Sequence, residues 1–525
     1  VKNYKAMKTK SFMKNTLAIL TLLIATNCTS DLAKLNSDPT AVGADQLDPN
    51  YILTTAQMSY TGSADFSYET WRAQLIYCSV MTQHFATTIG YWAGDKYQLN
   101  QAYAESYFLE AYQYSGANLG QVGNAVILLN LTKDKAQHSN LYQIGRIWKA
   151  TIFHRITDLY GDVPYTEAGQ AYYKGILTPK YDTQQDIYTD MLKELDEAAA
   201  ALDPSKDIPT GDLVYNGDIA KWKKFAYSMM LRLATRLSKV DPANSKKYIE
   251  KAAAGGVFTS INDNAFIVGD PTHGRSTINR ISQVLDGSPE HTDVKWSKTF
   301  IDFMKNNNDP RLAVVATLTS GDSNPAHQLG LPNGLDQAGG AQDISTDPNY
   351  PGSYSGYSVP NKTILAKDNA PTFVITYAET ELMLAEAAQL NYTVTGSAAT
   401  HYNNGVTAAM AQLVQFDASA TIPAASITTY LAANPYDPTN GVKMINTQYW
   451  AATIFNDYET FANWRRSGYP ALAPVNYPNN ATGGVTPRRL IYPQSEASTN
   501  GDNYNAAIAR ITGGNTLVGR VWWDK

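Results

Sequence analysis

Two cysteines in 525 residues exclude a disulfide framework and leave too few thiolates for a structural metal cluster. Histidine is scarce as well, with seven copies, and His84, His154 and His273 show no metal-ligand spacing. Neither a His-Glu-x-x-His nor a Gly-x-Ser-x-Gly sequence occurs, which removes the common zinc-protease and serine-hydrolase signatures. Charge of one sign is also missing: 42 basic against 47 acidic residues give a net charge of -5, and with the basic residues scattered this gives little support for a nucleic-acid surface. The only sustained apolar run, Leu17 to Thr26, is about ten residues long, whereas a bilayer span needs roughly 20.

That run does have the order of a secretory leader, since Lys8, Lys10 and Lys14 precede it and Cys28 follows. The stretch Ala25-Thr26-Asn27-Cys28 resembles a bacterial lipoprotein signal, with Asn27 in the place where Gly or Ala is usual. Residues 1–27 are therefore expected to be a signal peptide and Cys28 a lipidated residue. Acyl chains, at about 0.8 kcal/mol per buried methylene, would hold the protein to a membrane without spanning it. With Cys28 acylated, Cys78 has no intrachain partner and reads as a buried small hydrophobe.

What the chain has in abundance is aromatic surface chemistry, with 35 tyrosines and nine tryptophans. Such rings pack on the C–H face of a sugar while their polar atoms hydrogen-bond its edge, and they also build cores. Helical periodicity runs from Asp48 to about Tyr60, Tyr68 to Thr87, Ala104 to Leu131, Tyr142 to Tyr160, a segment capped by Asp182 or Thr183, Asp218 to Lys239, and Pro242 to a Gly255-Gly256 stop. Between about 256 and 372 the sequence turns to Asn, Asp, Gly, Ser and Pro, with one helix near Trp296 to Asn306. Helices are expected again at Ile375 to Gln389, Ala399 to Phe416, Ile427 to Ala433 and Gln448 to Trp464. Helices joined by short turns suggest stacked antiparallel hairpins.

Six stretches then occur in order: DLYGDVPY from Asp158, WKKFAYSMMLRLATRL from Trp222, DPRL from Asp309, YAETELMLAEA from Tyr377, WRRSGYP from Trp464 and VWWD from Val521. Together they resemble the SusD/RagB family of Bacteroidetes outer-membrane nutrient-binding lipoproteins, most closely its SusD-like branch. The resemblance implies a mostly α SusD-like fold, with four tetratricopeptide-like helical hairpins and an irregular, loop-rich half. Residues 28–525 would form a single nutrient-binding domain, its scaffold at about 45–255 and 374–464 around an insert at about 256–372. It also implies a surface-exposed lipoprotein of the cell outer membrane that captures a glycan or other nutrient and delivers it to a SusC-like TonB-dependent transporter. The alternatives are a structural or protein-binding lid of that transporter and capture of a peptide.

Within this frame Arg232, Arg236, Glu379, Glu386 and the Trp464-Arg465-Arg466 run read as scaffold, and Trp522-Trp523-Asp524 as packing at the close of the fold. The resemblance points to 89–100 for ligand binding. Trp92, Tyr91 and Tyr97 are the candidate stacking rings and Asp95 and Asn100 the hydroxyl-bonding groups, with Tyr354 and Tyr357 as a second cluster. No catalysis is expected: carboxylates are plentiful, but no spacing marks a glycosidase pair, whose members face one bond about 5–9.5 Å apart. No cofactor and no metal is expected; Asn262 to Asn264 offers oxygen ligands without an EF-hand loop.

Overall fold

The computed structural model describes residues 47–62, 68–113 and 119–525, so the leader and Cys28 lie outside the described residues. Local signals in the sequence start most of the long helices. The Thr183 hydroxyl accepts the Asp186 N–H ahead of a helix at Gln184–Ala201, and the Asp218 carboxylate accepts the Lys221 N–H ahead of Ile219–Arg236. Asp241 caps Pro242–Gly255, which places proline in the first turn and ends at Gly256 with φ +97°. Thr376 and Glu379 form a reciprocal capping box at Tyr377–Gln389.

In chain order the principal helices are α1 Pro49–Thr61, α2 Gln121–Thr132, α3 Ser139–Tyr160, α4 Gln184–Ala201, α5 Ile219–Arg236, α6 Pro242–Gly255, α7 Lys298–Asn306, α8 Tyr377–Gln389, α9 Ala398–Ala411, α10 Gly441–Ala452, α11 Asp457–Ser467 and α12 Gly501–Ala509. Each of α2 to α5 packs on the next, α8 packs on α9 and α10, and α5 touches α8, which joins the two helical stretches. Among the described residues the sheet content is four two-stranded antiparallel ribbons and no closed sheet. The strands are β1 Phe85–Ala86, β2 Val163–Pro164, β3 Tyr181–Asp182, β4 Ala265–Val268, β5 Lys295–Trp296, β6 Ala316–Thr317, β7 Val359–Pro360 and β8 Pro371–Ile375. Ribbon β1–β5 ties the early helices to the loop-rich stretch.

Three expected helices are interrupted. The one from Tyr68 contains a π-helix at Thr70–Ser79 and stops before Gln83, whose φ of 55° turns the chain into β1. The one from Ala104 ends at Tyr112 and restarts at Gln121, where a Cβ on Gly120 would lie 2.5 Å from the Ala111 carbonyl oxygen. The one from Gln448 splits into α10 and α11 at Phe455, φ 64°, and the break is spanned by a 2.8 Å hydrogen bond between the Thr453 and Thr460 hydroxyls.

The charged residues of the shared motifs lie inside. Arg232 pairs with Glu379, and Arg236 with Glu459 and with Asp158 at 3.2 Å, all with buried side chains. Tyr449 donates to Glu459 at 2.7 Å and to Glu379 at 3.0 Å, and the Trp523 indole donates to Asp158 at 3.0 Å. Arg466 grips Glu386 through two bonds of 2.6 and 2.8 Å. Burial alone would raise the Glu459 pKa, but the Arg236 and Arg232 guanidiniums outweigh it and hold the carboxyl below the usual range. These groups lock helices and C-terminal turns together, the scaffold role that the sequence suggests.

Candidate functional site

The π-helix brings two side chains to the surface at its first turn. Trp71 and Arg72 are half-buried, whereas Ala73 through Ser79 are buried, among them Cys78, whose thiol is raised by burial and is correspondingly unreactive. Trp71 stands edge-on to Tyr91, with ring centroids 5.9 Å apart, and lies 6.4 Å from Tyr103. The Arg72 guanidinium rests 4.2 Å over the Tyr68 ring and 5.1 Å over that of Tyr103. One oxygen of buried Glu290 accepts both the Trp71 indole N–H, at 3.1 Å, and the Tyr91 hydroxyl, at 2.5 Å. The result is a surface of four partly exposed rings, an arginine among them and a carboxylate fixing two of them.

Only part of the expected segment 89–100 faces outward. Tyr91 is 36% exposed, but Trp92 and Tyr97 are fully enclosed and Asp95 is 1% exposed. The cause is Gly94. A Cβ there would sit 2.1 Å from the Ile76 carbonyl oxygen, so the turn Ala93–Lys96 presses on the π-helix and draws the flanking rings inward. Trp92 is therefore corrected from a stacking platform to a core ring beneath the surface, and Tyr97 to a buried ring donating to Thr486 at 3.3 Å. Asp95 does not meet solvent hydroxyls: it accepts Asn333 Nδ2 at 2.6 Å and the Gly334 N–H at 2.9 Å, and burial raises its pKa to about 6. Asn100 caps the short helix Gln101–Ala104 that carries Tyr103.

The second expected cluster lies against Thr88, just ahead of that segment. The half-buried Tyr354 donates to the Asp293 carbonyl at 2.6 Å and accepts the Thr88 N–H at 3.4 Å, and the buried Lys295 amine lies 4.7 Å from its ring. Burial lowers the Lys295 pKa to about 8. Tyr357 lies under Tyr354, fully buried, with centroids 6.1 Å apart, so it is a support and not a contact. Tyr68, Trp71, Tyr103 and Glu290, which the sequence reasoning did not name, complete the ring surface around Tyr91. Two tyrosines and a tryptophan at helix starts were the available signal, and the helical spacing of 68, 71 and 72 was the clue to a shared face.

As to metals, His154, Asp158 and Glu459 bring one ligand atom each within 4.8 Å of one another. The carboxylates are already neutralised by Arg236 and Arg232, and burial with the Arg232 charge holds His154 well below its usual pKa. This donor set is matched to guanidinium and opposes a further cation. At 262–264, Asp263 is taken up by Lys224 and by the Thr259 and Ser260 N–H groups. No helix among the described residues is long and apolar enough to cross a membrane.

A helical scaffold with its ionisable groups paired internally, carrying an aromatic surface at the junction with a loop-rich half, defines a ligand-binding protein. The chain belongs to the SusD-like family: the family profile described as "Starch-binding associating with outer membrane" matches residues 44–493. Members of this family are noncatalytic, surface nutrient-binding lipoproteins of the outer membrane. Among solved structures, a chitin-binding protein is 35% identical, with a TM-score of 0.80 over 91% of this chain and 100% of its own. A SusD-like protein of Bacteroidetes AC2a is 26% identical, with a TM-score of 0.79 and the same shares of both chains. A SusD homologue from Bacteroides uniformis is 24% identical, with a TM-score of 0.73 over 90% of this chain and 99% of its own. A search among curated proteins found no match.

Proposed function

We propose that this protein captures an N-acetylglucosamine-containing oligosaccharide on the surface formed by Tyr68, Trp71, Tyr91 and Tyr103, and passes it to a SusC-like TonB-dependent transporter. The observation behind this reading is the half-exposed ring set, with Glu290 holding Trp71 and Tyr91 in register. Pyranose C–H faces pack on such rings, and Arg72 adds N–H donors for an acetamido carbonyl. The sugar class follows the chitin-binding relative. Tyr354 and Asn100 support the loops around the rings. We take the pairs α1–α2, α3–α4, α5–α6 and α8–α9, each packed together, as the source of the four tetratricopeptide-like hairpins of the resemblance. Cys28 is the proposed lipid attachment point, which would leave the folded unit tethered over its transporter.

The test is calorimetric titration with chitohexaose, with cellohexaose as the control lacking acetamido groups. Chitohexaose should bind the wild type, and Trp71→Ala should weaken it about thirtyfold, the cost of removing one anchoring ring of about 2 kcal/mol. Equal binding of cellohexaose would remove the acetamido assignment, and unchanged affinity in Trp71→Ala would remove the site.

A further inference from the structure

Where α3 ends, α4 begins and the residues after α12 return, the structure holds a cleft of about 600 Å³. That lies within the ~300–1,000 Å³ typical of small-ligand sites. It shares no lining residue with the ring surface at Trp71. The tryptophan doublet near its base divides its labour. Trp523 is fully buried with its indole N–H on Asp158, whereas Trp522, in the turn closed by the Asp524 N–H on the Val521 carbonyl, is half-buried and lines the cleft. Its ring is backed by that of Tyr188 at 6.5 Å.

The polar groups around this ring are unevenly satisfied. Asp162 has one oxygen on the Gln184 N–H at 2.8 Å and the other on Arg510 Nε. Asp524 accepts Arg488 on both oxygens and Arg520 Nη1 at 3.1 Å on one of them. The carboxylates are thus filled. The guanidiniums are not: among the described residues no acceptor lies on Arg510 Nη1 or on Nε and Nη2 of Arg520, and the two side chains are 40% and 45% exposed. An indole face beside unfilled guanidinium edges complements a ring with an apolar C–H face and an anionic, acceptor-rich edge.

We propose that this cleft is a second saccharide site, which takes an acidic sugar with its ring on Trp522 and its carboxylate on Arg510 and Arg520. It is independent of glycan capture at Trp71. The test is titration of D-glucuronate, with D-glucose as the neutral control, followed by calorimetry and by saturation-transfer NMR. Glucuronate is expected to bind the wild type at least about tenfold more tightly than glucose. Arg520→Gln and Trp522→Ala should each weaken it by about tenfold or more, and Trp71→Ala should leave it unchanged. Because Arg488 still pairs with Asp524 in Arg520→Gln, that variant should melt as the wild type does and keeps the test sound if Trp522→Ala is unstable. No glucuronate binding, equal binding of glucose, retained binding in Arg520→Gln, or loss in Trp71→Ala would each overturn the proposal.

Discussion

Glu290 couples two rings through a single oxygen, so its replacement should act on ligand affinity without removing any stacking face. Glu290→Ala is expected to weaken chitohexaose binding by about tenfold and Glu290→Gln, which keeps an acceptor, by clearly less; calorimetry on the two variants checks this. Asp95 acts one layer deeper, pinning Asn333 and Gly334 to the loop that presents Tyr91. Its pKa is raised, from an ordinary value near 3.8 to about 6. Its contribution to stability is therefore fully present below about pH 3.8 and is lost as pH rises through about 6, a change on the order of 3 kcal/mol. Asp95→Asn should flatten that part of the stability–pH curve, measured by urea unfolding between pH 4 and 7, and should cost about 1–3 kcal/mol for the donor left unmatched. At this scale the sequence was a partial guide. Tyr91 faces outward as its loop suggested, but nothing in Ile89 to Asn100 shows that the neighbouring Trp92 faces the core, because that depends on how closely Gly94 packs on Ile76, outside the segment.

Among the elements, the π-helix at Thr70–Ser79 is the one on which the ring surface depends. It carries Trp71 and Arg72 outward at one end and receives Gly94 against Ile76 along its length. Gly94→Ala places a methyl group 2.1 Å from a backbone oxygen that cannot swing aside, so the variant is expected to lose about 1–3 kcal/mol or more, seen as a lower melting temperature. It should also lose affinity, because Tyr91 rides on the displaced turn. Helix starts were legible in the sequence, since Thr183, Asp218 and Asp241 cap by local side-chain chemistry. The breaks were not. Apolar periodicity passes through Phe455 without interruption, and the left-handed residue there is set by the meeting of α10 with α11 and not by a glycine or proline.

For the molecule as a whole, the pairs Arg232–Glu379 and Arg236–Glu459–Asp158 join α3, α5, α8 and α11 in one buried network. Glu459→Gln should leave buried guanidinium charge undercompensated and cost about 3–5 kcal/mol, read by thermal melting, with no dependence on sugar. The family and its helical class were visible because Asp158, Arg232, Arg236 and Glu379 sit in contiguous motifs, although their partner Glu459 does not. The proposed ligand surface was not, because it is assembled from Tyr68, Trp71, Tyr91, Tyr103 and Glu290, a set that the fold and not the sequence order brings together. The most direct test of the central claim is a crystal structure of the protein with chitohexaose. The account predicts sugar rings stacked on Trp71 and Tyr91, with Trp92 still enclosed; sugar resting elsewhere on the molecule, or on a Trp92 exposed by opening of residues 88–97, would contradict it.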